Sequence, residues 1–211
     1  MYFWKKNMRQ LFFVSLILFT PVFILSQGSL KQNLEVVQNG YLLVQLFSRE
    51  RTTEIIRKNQ GEAAAQRYQA DLLEKNKKLA KAFGEHFTFS KVLFFYSKDK
   101  EFVKNKDFDA TTFYGFNHEI VNKDTINITQ FRIGEVSRVI ADSVVHYLPD
   151  GEVEKHPSYV FSAFVLMDDQ FRQYSKPNWF YVRTHAGAPF FQKKENRLVK
   201  AINSKMTRKA K

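Results

Sequence analysis

Two apolar runs with almost no polar alternation set the reading of the chain. Lys91-Val-Leu-Phe-Phe-Tyr-Ser97 holds five consecutive apolar or aromatic residues. A run of that kind, too short for a helix, predicts a strand covered on both faces, and it reads as the central strand of an α/β sheet. Tyr41-Leu-Leu-Val-Gln-Leu-Phe47, punctuated by Gly40 and by Ser48-Arg-Glu-Arg51, predicts the first strand. Between the two, residues 51–83 have helical periodicity, with Ala65, Tyr68, Leu72, Leu79 and Phe83 on one face. Thr52 or Thr53 is the expected cap, Gly84 the expected end, and Gly61 a kink or a division into two helices. Strand, helix and strand in this order make a βαβ unit with parallel strands and a right-handed crossover.

The pattern weakens from Lys98 to Asp124, where Phe102, Phe108, Phe113, Tyr114 and Phe116 stand isolated among polar residues. This predicts a long loop and the rim of any functional site. Residues 127–136 alternate well enough for a third strand, whereas 136–147 fit an amphipathic helix by spacing and a strand by β-branched content. Beyond the turn at Pro149-Asp150-Gly151, apolar segments at 159–167, 171–174 and 179–184 are separated by turn residues and predict an antiparallel meander. Residues 191–206 close the pattern as a helix with Leu198, Val199, Ile202 and Met206 on one face. The expected fold is α/β, a mixed sheet with a parallel βαβ core, an antiparallel meander and a C-terminal helix, in one domain over 40–206 with a basic tail at 207–211.

That layout resembles the plan of thioredoxin-like domains, although a chain without cysteine carries no redox motif and the resemblance implies no redox role. The chain also resembles exported bacterial proteins of unknown function. The resemblance rests on Gly40-Tyr-Leu-Leu-Val44, on Ala82-Phe83 leading through Phe87-Thr-Phe89 into Val92-Leu-Phe-Phe-Tyr-Ser97, and on Tyr181-Val-Arg-Thr184 followed by Pro189-Phe190. These motifs are structural in character and imply no catalytic residues.

Composition changes the picture at the two ends. Lys5, Lys6 and Arg9 precede a fifteen-residue run, Leu11 to Leu25, interrupted only by Ser15, Thr20 and Pro21. Residues 1–26 therefore read as a secretory signal peptide, with an uncleaved anchor as the competing reading, and 27–39 as a polar linker. An exported chain with no disulfide framework suits the bacterial periplasm or outer surface. Of the formal charge of +12, three units belong to the leader and seven to residues 193–211, where eight basic residues face Glu195 alone. The body is close to neutral, so the basicity describes the tail and not a groove through the domain.

Candidate chemistry is sparse. No glycine-rich phosphate loop, nucleophile elbow or zinc-helix histidine pair occurs, and no pattern calls for a metal or cofactor. Asp168 and Asp169, at the end of an apolar strand, are the candidate acid/base carboxylates or cation ligands, against the plainer role of turn residues. Arg183, Thr184 and His185 place a cation, a hydroxyl and an imidazole within three residues, a group able to grip a carboxylate or phosphate. His146 and His156 flank the Pro149 turn without a third ligand. Lys200, Lys205 and Arg208 are candidate contacts for a protein or an anionic envelope surface, with membrane contact limited to the leader or this basic helix. Export makes nucleic acid an unexpected partner. The leading expectation is a non-enzymatic envelope protein that binds a partner through the 98–124 loop or the last helix. The alternative is a periplasmic hydrolase with Asp168 or Asp169 as acid/base and Arg183 and His185 positioning an anionic group.

Overall fold

The computed structural model describes residues 29–140, 143–147, 153–157, 160–174, 178–184 and 194–211. The leader, the turn at 149–151 and His185 lie outside the described residues. Along the chain come α1 (Leu30–Asn39), β1 (Tyr41–Leu46), α2 (Glu50–Gln60), α3 (Glu62–His86), β2 (Lys91–Tyr96), α4 (Lys100–Lys104), β3 (Phe131–Ile140), β4 (Ser143–Tyr147), β5 (Val153–Pro157), β6 (Val160–Met167), β7 (Tyr181–Arg183) and α5 (Glu195–Ala210). Among the described residues, five strands form one mixed sheet in the order β2-β1-β3-β6-β7, while β4 and β5 pair with each other. β1 is parallel to both β2 and β3, and β6 and β7 are added antiparallel. The parallel core, the antiparallel addition and the terminal helix agree with the sequence pattern. No helix among the described residues is long and apolar enough to cross a membrane.

Several expectations need correction. The polar linker is a helix from Leu30: the Ser29 hydroxyl accepts from the backbone of Gln32, the Gln32 side chain accepts from Ser29 N–H, and Leu34 and Val37 are fully buried. The long helix divides at Gly61 (φ 88°), but α2 begins at Glu50 behind Arg49 rather than at a threonine cap. α3 runs through Gly84 to His86. A side chain at Gly84 would lie 2.9 Å from the Phe116 Cβ, so this glycine admits a neighbouring segment instead of ending the helix. The stretch after 136 is β structure, divided between β3 and β4. In the β4–β5 hairpin His146 lies opposite Glu154 and His156 opposite Val144, so the two histidines do not face each other in register. The return strand at 171–174 is reduced to a single bridge between Met167 and Gln173.

The run at 91–96 is covered on both faces, yet β2 is an edge strand and not the central one. Its outer edge is closed by the segment 113–121. Phe94 N–H donates to Tyr114 O (3.0 Å) and Tyr114 N–H to Phe94 O (2.8 Å). Tyr114 stacks on His118 at 4.8 Å, and His118 Nε2 lies 2.7 Å from the Tyr96 hydroxyl, which pins the segment to the strand.

Two cores flank the sheet. On one face α3, α5 and α1 cover Leu42, Val44, Val92, Phe94, Phe164 and Leu166. On the other, residues from the β2–β3 connection, Val103 and Phe113 foremost, cover Leu43, Leu93, Phe95, Ile133 and Val165. α1 is fastened by a buried polar junction: Asn33 Oδ1 accepts from Arg132 Nε and from the Tyr174 hydroxyl, both at 2.9 Å. Burial pushes the Tyr174 phenol well above its ordinary pKa, keeping it a donor.

β3 and β6 fit closely at one glycine. Phe164 lies across Gly134, where an added Cβ would come within 2.4 Å of its ring. Gly134→Ala therefore costs about 1–3 kcal/mol through overpacking of a fully buried ring. Combining it with Phe164→Leu should cost less than the two single changes together, read from urea midpoints in a double-mutant cycle. Strict additivity would show that the ring and the glycine are not in contact.

Candidate functional site

Neighbouring connections leave the parallel core toward opposite faces: α3 after β1 covers one, and the chain after β2 covers the other. This leaves a crevice outside the carboxyl ends of β1 and β3, the place where open α/β sheets bind ligands. A cavity of about 270 Å³ occupies it, lined by Gln45, Phe47, Ser48 and Arg49 from the end of β1, Ser97 from the end of β2, and Glu135 and Ser137 from β3. A second cavity of about 280 Å³ shares Phe47, Arg49 and Val136 with the first and extends toward Tyr68 and Asp71 of α3, Thr184 and Glu195.

The floor is built by register. Gln45 and Glu135 are partners across the β1–β3 ladder, on the side of the sheet that carries Leu43 and Ile133. Gln45 Oε1 is buried and has no hydrogen-bond partner among the described residues, a costly state unless something else satisfies it. Burial raises the Glu135 carboxyl above its ordinary pKa, and the positive charge of Lys100 only partly reverses this. Lys100 is itself held over the Phe171 ring, 4.7 Å from its centre. Asp99, in the 3₁₀ turn that follows β2, has a further buried carboxyl oxygen, Oδ2, without a partner among the described residues.

The walls are held in place by side chains from elsewhere. Buried Asn76 of α3 grips the backbone of Phe47 at both groups, donating to its carbonyl at 2.8 Å and accepting from its N–H at 3.2 Å. This replaces the ladder bonds that β1 loses where it ends. The hydroxyls of Ser48 and Ser97 hydrogen-bond to each other and tie the ends of β1 and β2 together. Arg49, left-handed at φ 46°, opens α2 at the mouth with its guanidinium 5.5 Å from the Phe47 ring centre. The set offers a carboxyl with a raised pKa, an amide, three serine hydroxyls and one cation, which is hydrogen-bonding equipment for a small polar ligand with a negatively charged end. Among the described residues no group of three or more His, Asp or Glu could hold a metal ion.

The residues singled out in the sequence lie elsewhere. Asp168 is buried and accepts from Gln170 N–H and Arg172 N–H, both at 2.9 Å, and from Arg172 Nε at 2.7 Å. Asp169 turns away to pair with Lys106 at 3.1 Å. Arg183 sits opposite Ala163, five positions back along β6, about 16 Å at the rise of a strand. Its guanidinium lies 4.5 Å over the Phe161 ring, so the structure does not bring the aspartates and this arginine together. Thr184 is buried, with its hydroxyl donating to Ser162 O. Lys205 is half-buried, donates to Tyr181 O and lies over the Tyr181 ring, and burial lowers its pKa. Lys200 and Arg208 are exposed on α5. The crevice residues passed unnoticed in the sequence, although Gln45 is the one polar residue inside Tyr41–Phe47 and so marks the site.

No protein family, curated protein or solved structure matches the chain.

Because folding raises the Glu135 pKa above its ordinary 4.5, this group favours the folded state while protonated. That contribution is complete below the unfolded value and disappears as the pH rises through the folded one. Glu135→Gln should therefore gain stability relative to the parent as the pH rises above the ordinary carboxyl value of 4.5, measured as the difference in urea midpoints. A difference that stays constant with pH would place the carboxyl in water. Asn76→Ala should cost about 1–3 kcal/mol by the same measurement, since it strands a backbone N–H and a carbonyl in the interior.

Proposed function

We propose that this is an exported envelope protein that acts by binding, with its ligand in the crevice at the ends of β1 and β3. The observation that carries the reading is the buried, unpartnered Gln45 Oε1 beside a carboxyl with a raised pKa. A ligand donating a hydrogen bond to Gln45 and presenting a carboxylate or phosphate to Arg49 would satisfy both ends of the crevice at once. The basic n-region and apolar run at 1–26 support export.

The test is a nuclear magnetic resonance titration with a panel of small hydroxy acids and sugar phosphates, following the Gln45 side-chain amide and the amides of residues 135–137. Binding by a panel member should shift these signals, and Gln45→Leu should weaken it by about tenfold, the worth of one buried hydrogen bond. If every member that binds shifts only surfaces remote from the crevice, or none binds, the reading fails.

A second reading, a periplasmic hydrolase acting on an anionic substrate, is favoured by the same Glu135, since a carboxyl with a raised pKa is what a general acid needs. On this reading the acid is Glu135 and the anion clamp is Arg49. Asp168 and Asp169 are engaged in the turn and in the pair with Lys106. Turnover that Glu135→Gln abolishes while crevice binding persists would select the hydrolase.

A further inference from the structure

The strongest charged feature outside the crevice is assembled from two stretches far apart in sequence. A groove of about 650 Å³ runs between α3 and the start of α5, lined by Lys75, Lys78 and Lys81 on one side and Lys194 and Arg197 on the other. Among the described residues, Glu85 and Glu195 are the acidic side chains that stand among these five cations. Lys78 pairs with Glu74 outside the groove and Lys81 approaches Glu85 at 3.9 Å, whereas Lys75, Lys194 and Arg197 form no ion pair among the described residues. The N-terminus of the sixteen-residue α5 opens at the same place, and Lys194 at its cap position supplies no side-chain acceptor to the first amides. Those amides and the helix dipole add to the positive field.

The two walls are fixed relative to each other. Asn203 of α5 accepts from the N–H groups of both Thr88 and Phe89, just beyond α3, and Leu198, Val199 and Ile202 are buried in the core that α3 shares. The walls of the groove are therefore preformed, and an occupant meets helices already held in place, with the exposed cations carried on them. Lys75, Lys78 and Lys81 recur every three residues and span about 9 Å along α3, so the charges form a row and not a single point.

We propose that this groove binds a phosphate-bearing linear polymer. Lysine point charges, an arginine fork and the N-terminal end of a helix dipole are together the groups that recognise phosphate oxygens, although Arg197 N–H and Leu198 N–H already donate to Lys194 O. Cations on both walls of a concave groove surround an extended chain, whereas a flat bilayer surface would reach only the rims. The binding adds to, and does not depend on, the crevice.

The test uses the full chain and long-chain inorganic polyphosphate as the probe, with affinity followed over a salt series. Binding should weaken by about a hundredfold between about 50 and about 200 mM salt if about five cations each displace a counterion. The triple variant Lys75→Ala, Lys194→Ala, Arg197→Ala should lose about tenfold or more in affinity. A control of equal charge, Lys200→Ala, Arg208→Ala, Lys209→Ala, removes exposed cations of α5 that do not line the groove and should change affinity by less than about twofold. All six side chains are exposed, so both variants should fold, with unchanged circular dichroism as the check. Equal losses in the two variants would reduce the effect to net charge and overturn the proposal. So would polyglutamate of matched charge binding as tightly as polyphosphate, or a loss in the groove variant confined to phosphatidylglycerol vesicles.

Discussion

The structure depends on the isolation of β1 from water. This strand is hydrogen-bonded in parallel along both edges and buried on both faces, with Leu42, Leu43, Val44 and Leu46 fully inside. A strand in that position cannot leave a backbone group unpaired, so its ends must be met by protein. At its start Tyr41 N–H donates to Gln130 O, and just past its end Asn76 takes both backbone groups of Phe47. The helical layer is positioned by that requirement, because Asn76 fixes where along α3 the end of β1 comes to lie.

The two ends of the sheet are finished differently. At the amino ends of the parallel strands, Asn33, Arg132 and Tyr174 satisfy one another, and the Asp168 turn closes on itself through Gln170 and Arg172. Polar groups there have intramolecular partners and little capacity for anything else. At the carboxyl ends, Gln45 Oε1 and Asp99 Oδ2 are left without partners among the described residues. The asymmetry follows from topology: connections that part to opposite faces cannot also close the gap between them.

Much of the fold was legible because burial writes directly into composition. The unbroken apolar run 92–96 reports two covered faces, and that is what it has. It does not report a place in the strand order, because an edge strand with a segment laid along it has the same surroundings as a central one. The helix at 30–39 is masked in the sequence by its polar majority, although Ser29 with Gln32 and the spacing of Leu30, Leu34 and Val37 spell out a capped, one-sided helix. The candidate site was less legible. Gln45, Glu135 and Arg49 come together only through parallel register, and Asp168 carries the same local signature whether it closes a turn or serves a ligand.

The segment along β2 bears on how the chain reaches this state. An uncovered strand with the sequence Val-Leu-Phe-Phe-Tyr, short of charge and free of proline, would be a template for pairing with other chains and for amyloid-like stacking. Its cover, Tyr114, lies twenty residues downstream of Phe94, so the loop to be closed is short and its entropic cost small. The pairings that complete the sheet through β6 and β7 must wait for residues 160–183. The aggregation-prone edge can thus be sealed early, while the rest of the sheet is still being assembled.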